Sequence, residues 1–425
     1  MNIYAILSVL SAIPFIIYLI YLYHKSKIDE YLVMCMVKKF TQGNFEIKCG
    51  DLSIHRNVED LSLPIQKLII NENCREHFFN LIRERSEVGL GESYLYGDWY
   101  SDDIESLLTN MYLNSGNVKY TKAISAKNLD EIGQDKKNIS YHYDVGNDFY
   151  KLFLTDPLMS YSCAIWNDKT TNLDEAQLNK ANIIIRKLNP KWGQRILDIG
   201  CGWGKITKYI ADKTNTHITG ITISSKQAVQ IMEMLNLASE SDKNNRRNVD
   251  VMIMDYRHLY GLYDHIYSIG MFEHVRHENY DTFFQTIKKC LNPGGRFVLH
   301  TIISFDKGHH GQTVDSFVMK YIFPGGEIPL SEWIVNAVQR SGLRIIHVEF
   351  FGGQHYAKTL QEWRSRMMNN RKYIEEKYGI ELLRRYDYYF ASCYALFTTG
   401  NLGIGHYIIT SKKTLNINSN SNFTY

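Results

Sequence analysis

From residue 195 to 204 the chain reads Arg-Ile-Leu-Asp-Ile-Gly-Cys-Gly-Trp-Gly, an apolar strand pattern running into glycines at 200, 202 and 204, with a helical pattern from Lys205. Glycines at such a strand-to-helix turn let a ligand approach backbone that any Cβ would block, at the carboxyl end of a strand where open α/β sheets bind their ligands. A dinucleotide fold is the first rival. The spacing argues against it, because Gly200-x-Gly202-x-Gly204 lacks the two-residue gap of G-x-G-x-x-G, and the acid, Asp198, precedes the glycines. The context repeats the strand signal. Apolar segments at 217–223, 251–255, 263–269 and 296–300 follow at helix-length intervals, the last after the turn Pro293-Gly294-Gly295. Strands alternating with helices predict an α/β fold with a doubly wound, mostly parallel, Rossmann-like sheet.

That unit needs only part of 425 residues, so the length leaves room for further domains. Residues 1–25 hold a run from Asn2 to Tyr23 without a charge, about the 20 apolar positions that a helix needs to cross ~30 Å of hydrocarbon. Lys25, Lys27, Lys38 and Lys39 follow it and none precedes it, so the reading is an uncleaved single-pass transmembrane anchor with the rest of the chain cytosolic. Residues 26–118 read as a small N-terminal α+β lobe: a hairpin about Gly50-Asp51, then apolar residues at helical spacing through 74–82. Residues 119–138 are a lysine-bearing linker, 139–412 the main domain, and 413–425 an Asn/Ser-rich disordered tail. A net charge of +3 argues against a nucleic-acid partner. Seven scattered cysteines without C-x-x-C spacing argue for a reducing compartment and against a zinc ribbon, and His309-His310 lacks partner ligands, so no metal is expected. The run from Glu362 through Arg385 reads as a basic helix that could meet lipid headgroups.

The string Asp198-x-Gly-x-Gly-x-Gly204 resembles motif I of class I S-adenosylmethionine (AdoMet) methyltransferases. Further strings narrow the likeness: Ser140-Tyr-His-Tyr-Asp-Val-Gly-Asn-Asp-Phe-Tyr150, Met159-Ser-Tyr-Ser-Cys-Ala-Ile-Trp166, Gly89-Leu-Gly-Glu-Ser-Tyr94 with Trp99, Gly220-Ile-Thr-Ile-Ser-Ser-Lys-Gln227, Met271-Phe-Glu-His-Val275 and Tyr321-Ile-Phe-Pro324. In this order they resemble the cyclopropane-fatty-acyl-phospholipid synthase family, which includes the mycolic acid methyltransferases. The resemblance covers roughly residues 30–412. It implies AdoMet as methyl donor and the alkene of an unsaturated phospholipid acyl chain in a membrane as acceptor, and a homodimer is left open.

Carried over residue by residue, the resemblance places Tyr161 and Ser162 over AdoMet, with Asp198, Gly200 and Gly202 beneath its methionine part. It places Thr222 and Gln227 at the ribose, and Asp255 and Tyr256 at the adenine. Cys163, Glu273, His300 and Tyr356, with the backbone of Ile302, match positions that hold a bicarbonate ion in the family. Cys393 matches a second family cysteine, although Ala395-Leu-Phe-Thr-Thr399 departs from the family pattern after it. The chemistry is coherent. Methylation of an alkene makes a carbocation, so the site needs a base to take a proton from the delivered methyl, and it must exclude water. Tyrosine faces stabilise cations, which suggests a use for part of the 30 tyrosines. The rivals are a methyl-branch-forming lipid methyltransferase, which shares the cation, and a small-amine N-methyltransferase using Glu273-His274 as its base.

Overall fold

The computed structural model describes residues 37–57, 64–115, 146–241, 248–305 and 316–411, with a few residues between 27 and 35. The expected anchor, linker and tail, residues 140–145 and His309-His310 lie outside the described residues. Among the described residues no helix is long and apolar enough to cross a membrane. The chain divides into two compact units, Met1–Lys122 with Tyr378–Ala395, and Ala123–Lys377 with Leu396–Tyr425.

In the first unit, β1 (Asn44–Cys49) and β2 (Leu52–Asn57) make the hairpin that the sequence predicts. Its turn uses Gly50 at φ +56°, a left-handed value that favours glycine. β3 (Ile65–Ile70) pairs parallel to β1, and the short β4 (Trp99–Tyr100) closes the sheet against β3. The helix pattern at 74–82 extends to Arg75–Tyr96, with a break at Ser86 (φ 48°). The sequence suggested one continuous run over 139–412, yet Tyr378–Ala395 belongs to this first unit. The reason lies in its aromatic face: Tyr94 Oη donates to Asp387 at 2.5 Å, and the rings of Tyr94 and Trp99 lie 5.8 and 6.4 Å from Tyr388.

The second unit is built on a seven-stranded sheet. Its strands are β5 (Arg195–Ile199), β6 (His217–Thr222), β7 (Val249–Ile253), β8 (Tyr263–Ile269), β9 (Leu291–Ser304), β10 (Arg344–Phe351) and β11 (Leu402–Thr410), in the order β10-β11-β9-β8-β5-β6-β7. β5 to β9 pair in parallel, while β11 runs antiparallel to both β9 and β10. The third predicted strand ends two residues early, because Asp255 instead caps a short 3-10 turn at Tyr256–His258. The central strands are buried on both faces, as a doubly wound fold requires. Leu197, Ile199, Phe297 and Leu299 pack into one core with Phe283 and Phe284, and the alternate residues Ile196 and Val298 pack into a second with Ile184 and Leu188. Asp198 and His300 share that second face by their register.

The basic run is not one helix. Asn370 and Gly379 (φ +87°) divide it into Gln354–Asn369, Arg371–Tyr378 and Ile380–Thr398. Much of its charge is matched locally: Arg366 to Asp174 at 2.9 Å, Arg371 to Glu375 at 2.7 Å and Arg385 to Glu381 at 2.8 Å. The buried tyrosines are mostly scaffold as well. Tyr280 and Tyr407 belong to the sheet core, and Tyr386, Tyr388 and Tyr389 belong to the first unit.

Candidate active site

The chain reverses its direction of strand addition at β5, and a cleft opens there at the carboxyl ends of β5, β6 and β8. Gly200, Gly202, Thr222, Gln227, Asp255 and Tyr256 line it, with Met271 and His274 among the other walls. The glycines have separate reasons. At Gly200 (φ +85°) a Cβ would lie 2.7 Å from Met271, whereas at Gly202 (φ +54°) it would meet nothing within 4 Å, so residue 202 leaves space beside backbone. Thr222 Oγ1 donates to Gln227 Oε1 at 2.9 Å, tying those two residues together at the cleft wall. Asp255 is gripped by Arg257, whose backbone N and Nε each lie 2.9 Å from Oδ1 and whose Nη2 lies 2.7 Å from Oδ2. Burial pulls the Asp255 carboxyl upward, but the Arg257 bonds and charge outweigh it and hold the group below its usual range.

Three residues expected at the cofactor stand behind the cleft lining. Asp198 is 3% exposed and accepts from Thr207 Oγ1 (2.7 Å) and Tyr267 Oη (2.8 Å). Its side chain projects to the helix-covered face of β5, so it braces the strand end; burial, offset by those two bonds, lifts its carboxyl to about 6. Tyr161 packs among rings, 5.1 Å from Trp363 and 5.4 Å from Tyr150. Ser162 sits behind Gly270, where a Cβ would come within 3.0 Å of the Ser162 Cβ. The physical cause is Lys180, which reaches from the helix Leu173–Leu188 and donates to Ser162 Oγ at 2.8 Å and Ser160 Oγ at 2.7 Å.

Beside Ser162 lies the second cluster. Cys163 is 1% exposed, and burial pushes its thiol far up despite the nearby Lys180 cation and Thr359. Thr359 is on the helix Gln354–Asn369, and its Oγ1 accepts from Ala164 N and Trp166 Nε1, both at 3.2 Å. Tyr356, one turn earlier on that helix, packs 4.5 Å from Phe397 and 6.1 Å from Trp363. His300 on β9 is 1% exposed, and burial, reinforced by Lys180 and Lys187, drives it well below the usual histidine value, which makes it a neutral imidazole. Its backbone carbonyl accepts from Gly270 N at 3.0 Å, linking it to the Ser162 wall. Glu273 Oε1 accepts from Ile302 N at 2.7 Å, so that N–H, expected to face an anion, is already engaged. Glu273 Oε2 is buried with no hydrogen-bond partner among the described residues, and burial raises this carboxyl. His274 turns instead to the cleft wall, where burial lowers it to about 4.

Cys393 belongs to the first unit, where burial and the nearby Glu87 push its thiol up to about 12.

The sequence reading missed Lys180, Lys187 and His406. The signal was present. In the helix Leu173–Leu188 the buried positions 173, 176, 177, 180, 181, 183, 184, 187 and 188 follow helical spacing, and two lysines on an apolar stripe demand partners.

The chain is similar to known proteins. Residues 131–407 match the family model described as mycolic acid cyclopropane synthetase. The cyclopropane-fatty-acyl-phospholipid synthase of Escherichia coli (strain K12) is 35% identical over 332 residues, 75% of this chain and 82% of that one. Cyclopropane mycolic acid synthase 1 of Mycobacterium tuberculosis is 30% identical over 288 residues, 65% of this chain and 98% of its own. The crystal structure of mycolic acid cyclopropane synthase CmaA1 complexed with SAH and CTAB superposes with a TM-score of 0.60 at 30% identity, covering 65% of this chain and 98% of that chain. Coclaurine N-methyltransferase, at 22% identity and a TM-score of 0.59, shares the fold. With the glycine cleft at the switch point and the family match spanning most of the second unit, the chain belongs to the mycolic acid cyclopropane synthetase family and is an AdoMet-dependent methyltransferase of cyclopropane synthase type.

Proposed function

We propose that this protein transfers a methylene unit from AdoMet to the double bond of an unsaturated acyl chain in a phospholipid, with bicarbonate as the base. The observation that carries this reading is the buried Glu273 Oε2, which lacks a hydrogen-bond partner among the described residues. A buried acceptor without a donor is costly, and the hydroxyl of a bicarbonate ion is a donor of the right size to meet it. Lys180, which lies close enough to both Cys163 and His300 to affect their protonation, adds positive charge that favours an anion. Glu273, His300, Cys163 and Tyr356 would hold that ion, and it would supply the base. AdoMet, bound along Gly200, Gly202, Thr222, Gln227, Asp255 and Tyr256, supplies the sulfonium methyl. The chain keeps the site dry and apolar with Tyr161, Phe323 and Trp363, whose ring faces also suit a cation. The amine-methylating rival draws on Glu273-His274 as a pair, and here the two side chains diverge, Glu273 to Ile302 and His274 to the cleft wall. A membrane anchor at residues 1–25 would raise the effective concentration of a bilayer substrate, and a homodimer would do so further.

The test incubates the protein with methyl-labelled AdoMet and vesicles of unsaturated phospholipid and reads the fatty acids by mass spectrometry. Gain of one labelled CH₂ with loss of the double bond is the expected result. Label confined to added amines would overturn the reading, and a saturated methyl branch would move it to the neighbouring lipid chemistry. Omitting bicarbonate should depress the rate, and removing residues 1–24 should release the protein from membranes.

A further inference from the structure

His300, His406 and Glu349 stand in one row across three strands: His300 pairs with His406 between β9 and β11, and His406 pairs with Glu349 between β11 and β10. Directly opposed residues project on the same face of a sheet. Here that face is covered by the helix Leu173–Leu188, and Lys187 descends from it into the row. The contacts are continuous. His300 Nδ1 lies 2.7 Å from His406 Nε2, His406 Nδ1 lies 2.5 Å from Lys187 Nζ, and Lys187 Nζ lies 2.5 Å from Glu349 Oε2. His300, His406 and Lys187 are all at most 1% exposed, whereas the Glu349 side chain is 19% exposed. A buried row of titratable groups that begins at the reaction site and ends at solvent has the form of a proton path, and nothing in the fold requires two histidines and a lysine where apolar residues would pack.

We propose that His300, His406, Lys187 and Glu349 form the exit for the proton that each turnover releases, a role that rests on the function proposed above. The need follows from the balance of the reaction. The methyl leaves sulfur for one alkene carbon; ring closure then makes the second carbon–carbon bond from the electrons of a methyl C–H bond, and one proton remains in a dry site. The bicarbonate proposed as base takes this proton and passes one on to His300 Nε2, the ring nitrogen opposite the His406 contact, which restores the ion. His300 releases its Nδ1 proton to His406 Nε2, His406 releases its Nδ1 proton to the Lys187 amine, and the resulting ammonium gives a proton to the Glu349 carboxylate at the surface. Each bond broken is matched by one formed, and no other reactant is needed. The groups facing the row suit this traffic. Burial first, then the cations Lys180 and Lys187, keep His300 neutral; burial, His300, Lys187, Lys180 and His347 do the same for His406. Burial lowers Lys187 to about 8 against the pull of Glu349, with Arg186 adding to the fall, so its amine changes charge within the working pH range.

Lys187→Arg separates a relay from a structural ion pair, because arginine keeps the charge and the Glu349 contact but does not deprotonate. The expected result is a turnover at least tenfold below wild type with AdoMet affinity within twofold, loss of the pH–rate limb near 8, and partial recovery with added imidazole. In the free protein, ¹⁵N-histidine spectra of wild type should show both rings neutral from pH 6 to 9, with the His406 Nδ1 signal moving as Lys187 titrates. Should Lys187→Arg fail to melt cooperatively, Glu349→Gln at the partly exposed end takes its place; its turnover should fall several-fold and recover with rising acetate. Wild-type turnover and pH profile in a folded Lys187→Arg or Glu349→Gln protein, or a His406 signal indifferent to pH, would overturn the relay and leave the proposed function standing. Absence of methylene transfer by wild type itself would overturn both.

Discussion

Replacing Lys180 with methionine removes a buried cation and should change the shape of the stability–pH curve. Burial lowers Lys180 from an ordinary value near 10.5 to about 8, against the raising effects of Cys163 and Asp156. The folded state thus holds this proton less firmly than the unfolded chain does. Between pH 8 and 10.5 the unfolded chain binds the extra proton, so stability rises with pH there; the gain is complete above 10.5 and is lost as pH falls through 8. At ~1.4 kcal/mol per pH unit the full rise is about 3 kcal/mol. Lys180→Met should lack that rise. At pH 7 the variant sheds the cost of a buried charge but loses two short bonds to Ser160 and Ser162, each worth ~1.5–3 kcal/mol when the donor is charged. The opposed terms predict a net loss of no more than about 3 kcal/mol, and a folded protein. Urea unfolding of both proteins at half-unit steps from pH 7 to 10 gives the difference directly. Parallel curves across that range would falsify the assignment of Lys180 as a buried, pH-sensitive cation. In the same preparations turnover should fall more than AdoMet binding, since Lys180 holds the strip that carries Ser162 and Cys163.

Other outcomes follow from the same geometry. Gly202→Ala meets open space at φ +54° and should lose only ~1–2 kcal/mol of stability from backbone strain, but calorimetric AdoMet affinity should fall at least tenfold, because the methyl occupies the space beside the loop. Asp198→Asn should remove a pH dependence of the opposite sign: burial lifts Asp198 from 3.8 to about 6, so its contribution is complete below 3.8 and lost as pH rises through 6, about 3 kcal/mol over the interval, readable by thermal melts of both proteins. Cys163→Ser and His300→Gln should depress turnover by at least tenfold with AdoMet affinity within threefold. Cys393→Ser should leave turnover within twofold, and a larger drop in a product assay would restore a role for that thiol.

The glycine loop and the alternation of strands made the parallel sheet legible, because one face of each element must be apolar and the spacing records which. The five parallel strands were read to within a few residues, except that β9 runs on through the Pro293-Gly294-Gly295 segment to 291–304. The cleft residues Gly200, Gly202, Thr222, Gln227, Asp255 and Tyr256 were read as well, since each sits just past a strand end. For Asp198 the residue type marked it as important, but only strand register shows that its carboxylate meets Thr207 and Tyr267.

What the sequence determined by itself was periodicity and therefore the fold, together with the family motifs and the cofactor loop. Tertiary structure decided which polar residues meet. Lys180 and Lys187 stand on an apolar stripe, but their partners are unknown until their helix is laid on β9, and His406 has no motif until an antiparallel β11 sets it opposite His300, 106 residues away in the chain. Local interactions fix periodicity, whereas a row of hydrogen bonds across strands exists only after the sheet has assembled its order. The glycines marked the cleft; only the order β10-β11-β9 sets His300, His406 and Glu349 in one row.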